Sequence, residues 1–278
     1  FWLPGAYSKA TAPVAALFAV MTKVGIYAII RVYLLVFGDD AGALANLGMD
    51  WLFPIALVTL AMGVIGALGA SSLRKLVAWQ VSISVGTLLA PVALGSEAGL
   101  SAALFYLLST TWTVGGLFLV AELIANRRGT AGDRIITAPK MRNRRFLGIL
   151  FLVGAVAAAG LPPLSGFFGK ILILKSVEPG TEMAWLWSVI LIGGFLSVIA
   201  YSRAGSIVFW RTVDGHTDAR EPLSAGVRVA AAALSALAVI MVVFAQPITR
   251  YTDATAEQLY NTDAYIEILQ TPMVGEDN

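Results

Sequence analysis

Two lysines lie inside long apolar stretches of this sequence, where a positive charge needs a special environment. Lys23 lies within the stretch Thr11–Phe37, and Lys170 lies within the stretch Phe146–Lys175. A charge at mid-membrane costs at least about 3 kcal/mol unless water, an acid or other protein groups solvate it. Burial also disfavours the charged form of a lysine, so such a side chain can exchange its proton near neutral pH. These residue types at these positions therefore indicate proton relay.

The second lysine follows a stretch that a continuous helix cannot cross. Pro162 and Pro163 each remove a backbone donor and clash with the preceding turn, while Gly160 and Gly166 let the chain turn freely. A helix interrupted at membrane depth is tolerated only where it is buried in protein or lines a wet cavity. Transporters place ion sites at such breaks. We therefore predict a functional site at Lys170. The alternative is a proline kink whose lysine snorkels to the surface.

Hydroxyl-bearing side chains in two other apolar segments could join the lysines through water, because a hydroxyl both donates and accepts hydrogen bonds. Two alternatives stay open. Ser and Thr in membrane helices often bond to their own turn or let helices approach closely, and an arginine near a helix end can snorkel outward. The candidate pathway residues are Ser84, Tyr106, Ser109, Thr110 and Thr113, with the cations Arg31 and Lys75.

The composition is that of a polytopic membrane protein, with 58% hydrophobic and 13% charged residues. Seven apolar segments are long enough to cross a bilayer, which takes about 20 residues each. We predict an all-α transmembrane bundle of about seven spans, in which the fifth is a discontinuous helix broken at Pro162-Pro163. The segments are Thr11–Phe37, Trp51–Ala70, Leu76–Leu94, Leu100–Ala125, Phe146–Lys175, Trp185–Trp210 and Val227–Ala245.

Charges in the loops alternate in sign, and this alternation orients the segments. The loop at residues 126–145 carries seven Lys and Arg against one acid, whereas the loop at residues 38–50 carries three Asp and no base. The positive-inside rule puts the basic loops in the cytoplasm. We therefore predict a transmembrane domain at residues 1–245 and an extracytoplasmic tail at residues 246–278. Within the tail, Ala254–Leu269 is either a short interfacial helix or solvated disorder.

Several classes of function lack their residues. The chain has no cysteine and one histidine, His216, in a polar loop, so thiolate metal sites and Ser-His-Asp catalysis are excluded. No phosphate-binding glycine loop is present. The net charge of +2 gives no signal for nucleic acid. We expect a transporter subunit with no cofactor, no metal and no enzymatic activity of its own.

Short motifs follow one another in a distinctive order from Phe1 to about Trp210. They are Trp2-Leu3-Pro4-x-Ala6, Ala12-Pro13, Lys23-x-Gly25-x-Tyr27, Arg31 and Leu161-Pro162-Pro163-Leu164-Ser165-Gly166-Phe167-x-x-Lys170. This order resembles the proton-antiporter family of membrane subunits, which includes antiporter-like subunits of respiratory complex I and large subunits of Mrp-type cation/proton antiporters. The stretch Leu161–Lys170 and the tripeptide Phe209-Trp210-Arg211 look most similar to the Mrp D subunit.

The resemblance implies a fold and a function. In that family fourteen helices form two inverted five-helix repeats, each with a broken helix and a lysine or acid. Lys23 would be the relay lysine at the end of the first repeat, and Lys170 the broken-helix lysine of the second. The chain would then be the C-terminal half of a longer subunit, within a hetero-oligomeric Na⁺/H⁺ antiporter of the bacterial inner membrane.

Three alternatives to that function stay open. The chain could belong to a proton-pumping subunit of complex I (NADH:quinone oxidoreductase) or of a membrane-bound hydrogenase, without a redox site of its own. It could also be a non-translocating scaffold or a carrier of an organic solute. Some positions depart from the family pattern: Ser84 stands where many relatives have histidine, and Ser109 or Thr110 and Val114 align with a histidine and a lysine. Either water held by hydroxyl groups carries the protons here, or the coupling of ion movements in this subunit differs from that of its complex I relatives.

The loop charges make a testable prediction about topology. Cysteines placed at Asp39 and at Arg134 of the full-length protein should react with a membrane-impermeant reagent from opposite sides, because basic loops stay in the cytoplasm. Labelling of intact cells and of inverted vesicles measures this. Reaction of both positions from the same side would contradict the predicted spans.

Overall fold

The computed structural model describes residues 2–38, 41–141, 143–213 and 225–262, and within these ranges the chain is almost entirely helical. The helices are α1 Leu3–Lys9, α2 Ala12–Val36, α3 Met49–Leu68, α4 Leu73–Val92, α5 Glu97–Arg127, α6 Arg144–Ala159, α7 Ser165–Lys175, α8 Thr181–Gly205, α9 Ala225–Val243 and α10 Ala245–Tyr260. A π-helical turn, Ser206–Trp210, extends α8. Two short strands, β1 Ala138–Pro139 and β2 Thr212–Val213, pair in parallel and join two loops.

Six helices among the described residues are long and apolar enough to cross a membrane: α2, α3 with the turn before it, α4, α5, α8 with its π-helical turn, and α9. Each matches a predicted segment. The remaining segment, Phe146–Lys175, forms α6 and α7, which have 16 and 11 residues and are each shorter than a full span. The predicted all-α bundle with a helix broken at Pro162-Pro163 is therefore confirmed. That α6 and α7 together form a seventh span remains a prediction.

Helices α4 and α5 form the centre of the bundle and are buried over most of their length, whereas α2, α3, α8 and α9 leave most of their surface exposed. Glycines allow the close approach that buries α4. A Cβ on Gly63 of α3 would lie 2.8 Å from the backbone nitrogen of Ile83 on α4. Small residues at such contacts are the usual basis of helix association in membranes. The polar groups of α4 and α5 are consequently shielded from lipid.

The break between α6 and α7 is made by backbone that only a few residues can adopt. Gly160 has a φ of 81°, and the N–H groups of Gly160 and Leu161 both donate to the carbonyl of Val156, at 3.1 and 3.0 Å. This arrangement ends α6 in the manner typical of glycine C-caps. Gly166, in the first turn of α7, lies so close to the carbonyl of Ala157 that a side chain there would collide with it.

The basic loop after α5 is held by side chains rather than by regular structure. Arg128 is buried and donates to the carbonyl oxygens of Gly132 and Arg134, at 3.0 and 2.6 Å. Glu122 at the end of α5 forms an ion pair with Arg74 of α4. From the sequence alone, we expect Glu122 either to pair with its chain neighbours Arg127 or Arg128, or to be an unpaired acid at the membrane interface. The fold corrects this expectation by bringing the start of α4 beside α5.

The predicted tail begins with an amphipathic helix. Helix α10 starts at Ala245 and packs against α5, where Ser101 Oγ donates to Thr252 Oγ1 at 3.0 Å and Ala256 is buried. Residues 254–260 are therefore helical, and the helix begins earlier than predicted. The remainder of Ala254–Leu269 falls largely outside the described residues. So do Asp39, Asp40 and His216. Whether the tail is extracytoplasmic stays a prediction.

Candidate functional site

Lys23 points into the bundle from α2. Only 3% of Lys23 is exposed, and its Nζ donates to Ser84 Oγ of α4 at 3.0 Å. Ser84 in turn donates to the carbonyl of Val81 at 2.7 Å. Helix α1 fixes this part of α2, because the Tyr7 hydroxyl donates to Phe18 O at 3.0 Å. Among the described residues no acid pairs with Lys23. The lysine therefore has a neutral partner that can both donate and accept a hydrogen bond.

Lys170 is anchored at the helix break itself. It is 7% exposed, and its Nζ donates to the carbonyl of Ala159, the last residue of α6, at 2.7 Å. The last carbonyls of a helix have no partner within the helix. Two glycines make room for the ammonium group: a Cβ on Gly160 would lie 2.8 Å from Nζ, and one on Gly194 of α8 would lie 3.7 Å from it. The side chain thus stays inside the bundle.

Gln80 is a polar residue at this site that sequence reasoning missed. It is 1% exposed on α4, and its Nε2 donates to the carbonyl of Ala158 at 3.1 Å. Gln80 and Lys170 therefore bond to adjacent carbonyls at the end of α6. The Gln80 Oε1 atom is buried and has no partner among the described residues. A signal was available, because an amide in the middle of the apolar segment Leu76–Leu94 is costly unless it is bonded.

The α4 face that carries Gln80 also carries Ser84, the partner of Lys23. Ser84 lies one helical turn beyond Gln80, and Thr87 lies nearly one turn beyond Ser84, so all three share a face. The Tyr106 side chain of α5 interacts with Thr87 and with Thr110. Tyr106 also packs against α7, since a Cβ on Gly169 would lie 2.9 Å from its ring. Of the predicted residues, Tyr106 is thus in contact with Thr110 and with Thr87 of α4, whereas Ser84 contacts Lys23.

A second hydroxyl contact joins α5 to the start of α7. Ser109 Oγ donates to Ser165 Oγ at 2.8 Å, and both residues are buried. Thr113 instead donates to the carbonyl of Ser109, at 2.8 Å, which is a bond within its own helix. Of these predicted pathway residues, Ser109 therefore bonds to another helix. Thr113 bonds only to the preceding turn of its own helix, as Ser and Thr in membrane helices often do.

Two of the predicted cations lie away from this group. Lys75 is exposed at the start of α4, where its Nζ contacts Ser71 Oγ at 3.4 Å. Arg31 is half-buried and lies two turns beyond Lys23 on α2, about 12 Å along the helix. In the described part of the chain, no cluster of His, Cys, Asp and Glu is suited to bind a metal ion.

Comparison with known proteins places this architecture in a family. Residues 1–200 match the model of the family described as NADH:quinone oxidoreductase/Mrp antiporter, TM. The chain belongs to this family. It is 36% identical, over 99% of its length, to the D subunit of a probable K⁺/H⁺ antiporter of Rhizobium meliloti strain 1021. It is 33% identical, over 96% of its length, to the D subunit of the Na⁺/H⁺ antiporter of Bacillus subtilis strain 168. The chain spans about half the length of these relatives, 56% and 53%.

Solved structures of several membrane complexes share the fold. The Mrp complex from Dietzia sp. DQ12-45-1b matches 96% of the chain and 57% of its own, with a TM-score of 0.78 and 23% identity. The membrane-bound sulfane sulfur reductase, an archaeal respiratory membrane complex, matches 96% of the chain and 53% of its own, with a TM-score of 0.81 and 19% identity. Respiratory complex I from Thermus thermophilus matches 93% of the chain and 54% of its own, with a TM-score of 0.71 and 24% identity. The family resemblance seen in the sequence is confirmed.

The bonds of Gln80 predict that this residue matters for ion movement in the antiporter fold. Gln80→Leu keeps the volume but leaves the Ala158 carbonyl without its donor, a loss of about 1–3 kcal/mol. We expect a lower unfolding temperature of the purified complex, and lower proton flux in vesicles at matched protein levels, because the end of α6 that also holds Lys170 loses a hydrogen bond. Ser235→Ala is the control, because Ser235 donates only to Ala231 within its own helix. Equal flux in the two variants would show that Gln80 is not needed.

Proposed function

We propose that this chain forms the second half of an ion-translocating subunit in a multisubunit monovalent cation/proton antiporter. The observation that carries the proposal is the position of Lys170, buried at a broken helix with its Nζ 2.7 Å from the carbonyl of Ala159. Relatives named as D subunits of Na⁺/H⁺ and K⁺/H⁺ antiporters support it. The exchanged ions in this proposal are H⁺ and Na⁺, and the chain carries no enzymatic activity.

The bond between Lys170 and Ala159 suits a group that changes protonation. An ammonium group has three N–H donors and no acceptor. After losing one proton, the amine still has donors for the Ala159 carbonyl and gains a lone pair that can accept a proton. The anchor therefore holds in both states, and the proton acceptor appears without movement of the helix.

The proposed path between the lysines combines a hydroxyl group, which can pass a proton, with an amide, which can hold a water. Lys23 contacts Ser84 at 3.0 Å, and a hydroxyl can accept one proton while it gives up another. Gln80 lies one turn from Ser84 and bonds beside the carbonyl that Lys170 occupies. An amide does not exchange protons readily, so we propose that Gln80 Oε1 holds a water. Buried waters typically bond to otherwise unpaired polar groups of this kind.

The proposed setting is the inner membrane of a bacterium, as part of a hetero-oligomeric complex. The basic loop at residues 126–145 would face the cytoplasm, and the chain after residue 245 would lie outside. The shared fold with complex I gives an alternative in which the same lysines serve a redox-driven proton pump. Dependence of proton flux on added Na⁺, without an electron donor, supports antiport, whereas flux that requires an electron donor supports the alternative.

The relay role of Lys170 is tested by a substitution that keeps the charge and fixes the proton. Lys170→Arg should reduce proton flux nearly as much as Lys170→Ala, by at least about tenfold, because guanidinium does not deprotonate in proteins. The measurement is cation-dependent proton flux in vesicles that carry equal amounts of assembled complex.

Lys175 provides the matched control for this test, because it lies on the same helix and is exposed. Lys175→Arg and Lys175→Ala should both retain normal flux. If Lys170→Arg keeps most of the flux while Lys170→Ala loses it, the residue is a fixed positive charge and the relay is refuted.

A further inference from the structure

A long groove runs along the outer surface of the bundle between α6 and α8. It has a volume of about 590 Å³ and extends along α6 from Arg144 to Ala159, a distance of about 22 Å at 1.5 Å per residue. On the α8 side it is lined from Val198 to Trp210. Apart from its Arg144 end, the lining is mostly apolar, with the rings of Phe151 and Phe209 forming one wall. The groove therefore fits an extended hydrocarbon occupant.

One end of the groove opens into a second cavity of different character. This cavity has a volume of about 640 Å³, shares Arg144 and Arg145 with the groove, and adds Lys140 and Asn143. We call it the basic mouth. Its position is fixed, because β1 at Ala138–Pro139 pairs with β2 just beyond the end of α8. The two cavities thus meet at Arg144 and Arg145, and together they have a basic end and an apolar end.

The charges of the basic mouth have no counter-charge in the described part of the chain. None of Lys140, Arg144 and Arg145 forms an ion pair there. Helix α6 begins at Arg144 without an acid in its first turn and without a side-chain cap. Its positive N-terminal dipole therefore adds to the cations instead of opposing them. An anion at this mouth would relieve the repulsion between these groups.

The length, the position and the lining of the groove distinguish between possible occupants. Trp210, which is 71% exposed at the basic end, is typical of the interface between lipid and water. One leaflet of the hydrocarbon core is about 15 Å thick, so a groove of about 22 Å spans a leaflet and its interface. A partner helix would cover the groove with apolar side chains and leave Lys140, Arg144 and Arg145 unpaired, whereas the headgroup of an anionic lipid would pair with these cations. The combination of a basic end and an apolar length therefore favours an anionic lipid.

We propose that the groove and the basic mouth bind one anionic diacyl phospholipid of the leaflet that faces the basic loop. Its phosphate group would bond to Arg144 and Arg145, with Lys140 nearby, and one acyl chain would lie along the groove towards Ala159. Basic pockets between membrane helices recognise anionic headgroups in this way. The second acyl chain would remain in the bilayer.

The far end of this site touches the helix break. Ala159 and Leu161 line the groove, and the Ala159 carbonyl accepts the hydrogen bond from Lys170. An acyl chain at this end would exclude water from the outer side of the break. Loss of the lipid should then also reduce proton flux, a consequence that rests on the proposed function. The binding measurement below does not depend on transport.

The test is native mass spectrometry of the intact complex, delipidated and titrated with phosphatidylglycerol or with phosphatidylcholine of the same chain length. One phosphatidylglycerol should bind per chain, and more tightly than phosphatidylcholine. Arg144→Gln with Arg145→Gln should weaken phosphatidylglycerol binding about 30-fold, at about 1 kcal/mol for each cation. Lys9→Gln with Arg134→Gln removes the same charge from exposed positions outside the site, and should change binding less than about twofold.

A second variant tests the apolar end without touching the charges. A Cβ on Gly148 would lie 3.7 Å from the Phe209 ring, so the larger side chain of Gly148→Leu enters the groove without a backbone clash. This variant should weaken retention of both lipids at least about tenfold, while the complex still assembles. Equal affinity for the two lipids, equal losses in the arginine pair and its control, or displacement of the lipid by inorganic phosphate would each overturn the proposal. So would a partner helix seated in the groove.

Discussion

The hydrogen bond between Lys170 Nζ and the Ala159 carbonyl is the interaction on which the rest of the site depends. The break at Pro162-Pro163 leaves the last carbonyls of α6 without helical partners at a depth where lipid offers none. An unpaired buried carbonyl costs about 1–3 kcal/mol, and so does an unsolvated polar side chain. Lys170 and Gln80 donate hydrogen bonds to two adjacent carbonyls, those of Ala159 and Ala158, at 2.7 and 3.1 Å. The same bonds that make the break tolerable therefore place a lysine, which can change protonation, inside the bundle.

Helix α4 converts this local arrangement into a connection across the molecule. Gln80 faces the break, and Ser84, one turn away on the same helix, receives the hydrogen bond of Lys23. The glycines of α3 that let α4 pack closely also remove this polar face from lipid. A polar stripe is stable in that position only because each of its polar nitrogens and hydroxyls has at least one partner, and the unpaired Gln80 Oε1 is the place where the described protein groups alone do not suffice. The proposed transport path is consequently a by-product of satisfying buried polar groups.

The fold could be predicted from sequence because its signals are local. Hydropathy gives each span, Pro162-Pro163 with its flanking glycines gives the break, and a lysine within an apolar run must point inward wherever lipid surrounds the helix. The partners of the polar side chains could not be predicted, because they depend on helix packing. Glu122 pairs with Arg74 and not with its chain neighbours because α4 packs beside α5. Gln80 was missed because an uncharged amide changes the hydropathy of a long apolar segment little. Lys75 was a candidate because of its charge, but it lies at a helix end and is exposed.

In the proposed mechanism, a continuous polar path that is completed by water joins Lys23 to Lys170 along α4. The most direct measurement is a cryo-EM map of the intact complex at a resolution that shows ordered water. If the path exists, the map should show density for water within hydrogen-bonding distance of Gln80 Oε1, linked to Ser84 on one side and to Lys170 on the other. Dry, close-packed apolar side chains between Gln80 and either lysine would contradict it.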